Sequence, residues 1–197
     1  QDLHGTVCAT TTMKLTRQSD YGILLLAEMA SGLAMTAALP AHVRGIVREI
    51  RMEVHQTRGV RRLPQIEGLL RGARLVLERA SVSGDDITLM RVPGAFELPI
   101  AALHAAETGR FDAVICLGCL IKGDTMHFEY IAAAASQGIM DAAQQTGIPV
   151  AFGVLTTLTE EQAIARAGDN PDNKGREAAL AAVDDAAVQQ RSDALAR

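Results

Sequence analysis

Two stretches of this chain, "FDAVICLG" (111–118) and "IPVAFGVLTT" (148–157), are apolar almost without a break. A strand with one face in water alternates apolar and polar residues, whereas a strand covered on both faces does not. These stretches therefore require a sheet with helices on each side, and the intervening sequence supplies helices. "PQIEGLLRGARLVLERA" (64–80) repeats apolar residues at helical spacing, and "DDITLMRV" (85–92) follows as a strand ended by a turn at "PGA". "LPIAALHAAETG" (98–109) is a helix with a glycine stop, and a longer helix runs from about His127 to Gln145. "TEEQAIARAG" (159–168) begins with a Thr159 cap and an acidic first turn, and residues 173–197 close the chain as a helix. Helix and strand alternate from residue 63 onward. The expected fold is α/β: a three-layer sandwich around a parallel four-stranded sheet.

In such sheets ligands bind where the carboxyl ends of the strands open a crevice. Three segments should emerge there: 93–97, 119–127 and 152–157. The second holds Lys122, Asp124, Thr125 and His127 where a buried strand turns into an alanine-rich helix. An imidazole moves protons near neutral pH, although a first-turn histidine can equally have no role. Lys122, Thr125 and the free amides of a helix start favour an anion, and Asp124 opposes it. Arg166 is either a second cation of the crevice or a solvated helix arginine. Glu97 is either a hydrogen-bond acceptor for a polar ligand or an acid facing a helix dipole. Cys116 and Cys119 form a C-x-x-C, but no second pair exists to complete a metal site and Cys116 falls inside a buried strand. Both read as small core residues.

Composition narrows the function classes. With 48% hydrophobic and 21% charged residues the chain can bury a core, and a net charge of −4 disfavours a general nucleic-acid binder. No apolar run approaches membrane-spanning length, so a soluble cytoplasmic protein is expected, with three cysteines suiting a reducing compartment. No glycine loop matches a nucleotide-binding fingerprint.

The motifs "VPGAFELP", "LGCLIKGDTMHFEYI", "GIPVAFGVLTTLTEEQAIARAG" and "NKGREAALAAV", in this order and spacing, resemble the 6,7-dimethyl-8-ribityllumazine synthase family over about residues 68–188. The resemblance implies a flavodoxin-like fold. It also implies condensation of 5-amino-6-(D-ribitylamino)uracil with 3,4-dihydroxy-2-butanone 4-phosphate, the penultimate step of riboflavin biosynthesis. No metal or redox cofactor is implied. By the family's pattern His127 transfers protons, and Asp124 and Thr125 lie in the loop holding the phosphorylated butanone. Arg166 binds its phosphate, with Lys174 a nearby cation. Ala95, Phe96 and Glu97 surround the pyrimidine and ribityl chain, and Cys119, Leu120, Ile121 and Phe152 complete the wall. The family forms pentamers, stacked or built into shells in some members, with each active site between subunits. The implied partners are the two small substrates, further copies of the chain and riboflavin synthase, with no nucleic acid and no membrane. Two other classes compete: a catalytically weak lumazine- or flavin-binding or shell-forming member, and a transcription regulator with a degenerate sensor domain.

Residues 1–62 depart from this pattern. The family's buried first strand ends in an aromatic that stacks on the pyrimidine, but a gapless count places Val60, Arg61 and Arg62 there. The preceding residues 52–59 are too polar for a central strand. Upstream, residues 13–30 read as a helix resembling the opening helix of some winged-helix regulators. Three explanations follow. Residues 1–62 are joined from elsewhere or read through a shifted frame; 52–62 is a divergent strand; or the strand comes from another segment such as "YGILLLAEM". The first is favoured, dividing the chain into 1–62 and a synthase-like domain, 63–197.

Overall fold

The computed structural model describes residues 21–27 and 64–196. Its elements run β1 (Tyr21–Ala27), α1 (Pro64–Arg79), β2 (Ile87–Val92), α2 (Leu98–Glu107), β3 (Ala113–Ile121), α3 (His127–Thr146), β4 (Val150–Thr157), α4 (Glu160–Ala167) and α5 (Lys174–Leu195). From residue 64 onward every expected helix and strand is present.

Local chemistry fixes the ends of these elements. α3 stops at Gly147, whose φ of 70° lets its N–H reach Ala143 O at 2.9 Å. α4 starts with a reciprocal cap: Gln162 N–H donates to Thr159 Oγ1, and Leu158 N–H donates to Gln162 Oε1. The N-cap of α5 is Asn173, discussed below.

The sheet divides the core in two. Alternate residues of β3, namely Ala113, Ile115, Leu117 and Cys119, face α1, α4 and α5. Val114, Cys116 and Leu120 face α2 and α3. β3 is buried along its length except at Ile121, which explains its unbroken apolar sequence. Leu69, Leu117 and Leu120 are almost fully buried, and each such leucine contributes about 1.5–3 kcal/mol. Much of the helical packing surface is alanine or glycine, so helices approach closely. A Cβ on Gly175 would lie 2.0 Å from Leu69 O, and one on Gly68 2.1 Å from Ala167 O.

Four strands lie in the order β2-β1-β3-β4. β3 and β4 are parallel, with Val114 beside Val150 and Ile121 beside Thr157. β1 is antiparallel to both its neighbours, with Gly22 opposite Val92 and Tyr21 opposite Cys119. The expected wholly parallel sheet is therefore corrected: β2, β3 and β4 run one way and β1 the other. The helix expected across residues 13–30 is also corrected, since 21–27 is a strand. An inner slot flanked on both sides demands an apolar sequence and paired backbone groups. "YGILLLA" meets the first demand, and an antiparallel ladder satisfies hydrogen bonds as fully as a parallel one. The third explanation above, a strand supplied by "YGILLLAEM", matches this arrangement. The divergent strand considered for 52–62, including Val60–Arg62, lies outside the described residues.

Candidate active site

Because β2, β3 and β4 share a direction, their carboxyl ends meet at one end of the sheet. β2 leads into a 3-10 turn, Ala95–Glu97, which passes directly into α2. Ala95 is fully buried, Glu97 half-buried, and Phe96 is 56% exposed with its ring free of the core. β3 leads into the loop 122–126. Lys122 N–H donates to Thr157 O at 2.9 Å, which extends the β3–β4 ladder by one bond and anchors the loop. Asp124, Thr125 and Met126 are exposed, and His127 is the exposed first residue of α3. The expected crevice cluster is thus assembled on one loop and one helix start.

The start of α3 carries no side-chain cap. Met126 occupies the N-cap position, 61% exposed, and makes no capping hydrogen bond. The first amides of a helix have no backbone partner inside it, and the positive end of the helix dipole stands behind them, an arrangement that suits an anion. Lys122 stands beside this opening, its Nζ 2.7 Å from Glu129 Oε1. That hydrogen bond, the Glu129 backbone and the lysine charge hold the Glu129 carboxyl below the ordinary carboxylate range.

Arg166 and Lys174 lie on the other side of the sheet, at the end of α4 and the start of α5. Glu177 joins them: its Oε1 is 2.6 Å from Lys174 Nζ, and its Oε2 is 3.4 Å from Arg166 Nη2. The Lys174 hydrogen bond, helped by both cationic charges, lowers the Glu177 carboxyl. Asn173 seals α5 behind them. It is 1% exposed, accepts from the N–H groups of Gly175 and Arg176, and donates to Gly68 O and Gly168 O. Neighbouring Arg176 pairs with Asp169.

The wall residues divide the same way. Cys119 faces the α1–α4–α5 layer and Leu120 the α2–α3 layer, both buried, so at these positions the backbone is what a ligand could touch. Ile121 is half-buried at the mouth. Phe152 is half-buried on β4, packed toward α2 and α3. Burial, with Glu160 nearby, pushes the Cys119 thiol up to about 11, and burial raises Cys116 further. Both stay protonated near neutrality, as core residues rather than nucleophiles.

Asn173, Glu129 and Glu177 were not among the expected site residues. Asn173 was legible as an N-cap from "DNKGRE", an asparagine at the onset of a helical pattern. The two glutamates sit in first turns, where an acid is ordinary; Lys174 precedes Glu177 by three residues on the same helix, whereas only the folded loop brings Lys122 to Glu129.

Among known proteins, residues 64–190 match the family described as 6,7-dimethyl-8-ribityllumazine synthase. A protein so named from Syntrophus aciditrophicus (strain SB) is 55% identical over 116 residues, covering 59% of this chain and 75% of that protein. One named 6,7-dimethyl-8-ribityllumazine synthase 1, from Caulobacter vibrioides, is 47% identical over 149 residues, covering 75% of this chain and 89% of the relative. A third, from Salinibacter ruber, is 49% identical over 125 residues, covering 64% and 80%. The share matched in the Caulobacter pair exceeds what residues 64–197 contain, so that similarity reaches upstream of residue 64.

Proposed function

The chain belongs to the 6,7-dimethyl-8-ribityllumazine synthase family, and from that premise we propose that it is the enzyme. It condenses 5-amino-6-(D-ribitylamino)uracil with 3,4-dihydroxy-2-butanone 4-phosphate, giving the lumazine, phosphate and water. The observation that carries this reading is the start of α3. His127 at the helix start and Lys122 in the loop before it lie together, next to the Ala95–Glu97 turn.

The chemistry suits that arrangement. An amine attacks a ketone, water leaves, phosphate is eliminated and a ring closes with loss of a second water. Every step moves a proton, and His127 is placed to carry it. Thr125, Asp124 and the α3 amides hold the butanone phosphate, and Arg166 and Lys174 supply fixed positive charge against the departing phosphate. Phe96, Glu97 and the backbone of 119–121 receive the pyrimidine and its ribityl chain. Holding the two substrates side by side replaces a bimolecular encounter.

Two copies complete the site in this reading. His127 belongs to the α2–α3 layer and Arg166 and Lys174 to the α4–α5 layer, with the sheet between them. Each layer also exposes apolar side chains near its half: Phe96, Ile100, Met126 and Tyr130 on one, Leu158 and Ile164 on the other. Such patches suit association. The proposed assembly is a ring, a pentamer or a stack of pentamers, in a flavodoxin-like frame whose inner slot is taken by β1. A cytoplasmic location and riboflavin synthase as the consumer of the product complete the proposal.

The test is turnover. Purified protein given both substrates should form lumazine and phosphate in equal amounts, and its mass in solution should be a multiple of the 20.9 kDa chain. Binding of a lumazine without turnover would leave a carrier instead, and a monomer with full activity would refute the two-copy site.

A further inference from the structure

The cations assigned to phosphate are already engaged. Glu177 reaches Lys174 Nζ at 2.6 Å with one carboxylate oxygen and Arg166 Nη2 at 3.4 Å with the other. One carboxylate spanning two cations resembles a phosphate oxygen pair in charge and reach. The Lys174 contact is an ordinary i,i+3 pair along one helix, but the reach to Arg166 is not. A first-turn glutamate is satisfied by the dipole alone, and here the neighbouring amides of α5 are already taken by Asn173. Arg166, moreover, comes from a different helix.

We propose that Glu177 is an internal stand-in for phosphate: it holds Arg166 and Lys174 in place and competes with phosphate for them. This deepens the functional reading above and rests on it. Glu177 keeps two partly exposed cations oriented toward one point, so they need not be ordered when substrate arrives. With phosphate present, the carboxylate either withdraws or shares the cations, and in both cases it weakens phosphate binding. The penalty is a similar fold for substrate phosphate and for free inorganic phosphate. The substrate keeps the rest of its contacts, whereas the released ion has none, so Glu177 favours product departure.

The experiment compares Glu177→Gln with wild type, using inorganic phosphate as the probe, both as a directly titrated ligand and as an inhibitor of turnover. Glutamine keeps the size and one acceptor but removes the charge. Phosphate should bind about 2- to 10-fold more tightly in Glu177→Gln, the range two partly exposed ion pairs provide. Glu177→Asp should fall between Glu177→Gln and wild type. Asp169→Asn removes the same charge from the carboxylate that holds Arg176, and should leave phosphate affinity nearly unchanged. If Asp169→Asn tightens phosphate as much as Glu177→Gln, the effect is the general field and the proposal is overturned. Unchanged or weaker phosphate binding in Glu177→Gln, with or without a lower melting temperature, overturns it as well and leaves Glu177 a helix-start residue. Arg166→Ala and Lys174→Ala separate this from failure of the underlying reading. If neither weakens phosphate, the cations do not bind it; if they do and Glu177→Gln does not tighten it, only the stand-in role falls.

Discussion

The starts of α3 and α5 are built from similar parts and finished differently. Each has a lysine paired to a first-turn glutamate, Lys122 with Glu129 and Lys174 with Glu177, and each glutamate is held below the ordinary carboxylate range. At α5 a buried asparagine closes the helix end with four hydrogen bonds. At α3 an exposed methionine closes nothing. The closed end ties α5 to α1 and to the end of α4, so its cations stand on a rigid base. The open end leaves amides and His127 facing solvent. One helix start is a scaffold for charge and the other is left without a side-chain cap, and the capping residue makes the difference.

The largest expected effect removes both halves together. β1 is the inner strand between β2 and β3, and a proline there takes away a ladder hydrogen bond. Leu24→Pro, opposite Met90 and Cys116, should therefore cost about 3 kcal/mol or more. Denaturant titration should show the loss, along with turnover and phosphate binding. A variant that unfolds like wild type would mean that β1 does not hold the sheet.

Next comes the cap contrast itself. Asn173→Ala should lower stability by about 2–4 kcal/mol, because buried carbonyls and amides lose their partner. Met126→Ala should change it by less than about 0.5 kcal/mol. Equal losses at the two positions would erase the distinction between a closed and an open helix start.

On the open side, His127→Ala should reduce kcat by roughly 10²-fold or less, with water partly substituting, and leave substrate binding nearly intact. Steady-state kinetics with each substrate varied would show it, and unchanged kcat would return His127 to an ordinary first-turn residue. On the closed side, Arg166→Ala should raise KM for the butanone phosphate by about 10-fold, the lower range for a charge-assisted contact at a half-exposed site. A change confined to the pyrimidine would refute that assignment.

The smallest effect concerns pH. Glu129 has a lowered carboxyl in the folded chain, so its contribution to stability is present above the unfolded value of about 4.3 and fades as pH falls through the lowered one. The melting temperature of Glu129→Gln should lie below that of wild type near neutrality, and the gap should close on acidification. A gap that widens in acid would reverse the sign and remove Lys122 as the cause.

Most of the helix and strand order was legible because residues 64–195 carry strong, unambiguous periods: 3.6 in α1, and none in the doubly covered β3 and β4. β1 was not. A short apolar run such as "YGILLLAEMA" is compatible with a buried helix or a buried strand, and only the vacancy between β2 and β3 decides between them. Its direction is equally hidden, since apolar residues on both faces impose no register preference. The cluster was legible as a motif: Asp124 and Thr125 lie on an exposed loop, with His127 at the helix start that follows it. What sequence could not convey was that the candidate residues divide between the two helical layers, or that Lys122 and Arg166 would each hold a glutamate.

The position of β1 also sets an order of events in time. Its partners on β3 lie half a chain downstream, so Tyr21–Ala27 leaves the ribosome long before the groove that receives it exists. α3 joins β3 and β4 locally and can form early, whereas β2 and β3 meet only through the strand inserted between them. Pairings of such sequence separation form late, because loop closure must precede any reward. Until insertion, β3 presents an unpaired apolar edge, an invitation to another chain's strand. Refolding yield should accordingly fall as protein concentration rises, and the last signal to recover should come from the middle of the sheet.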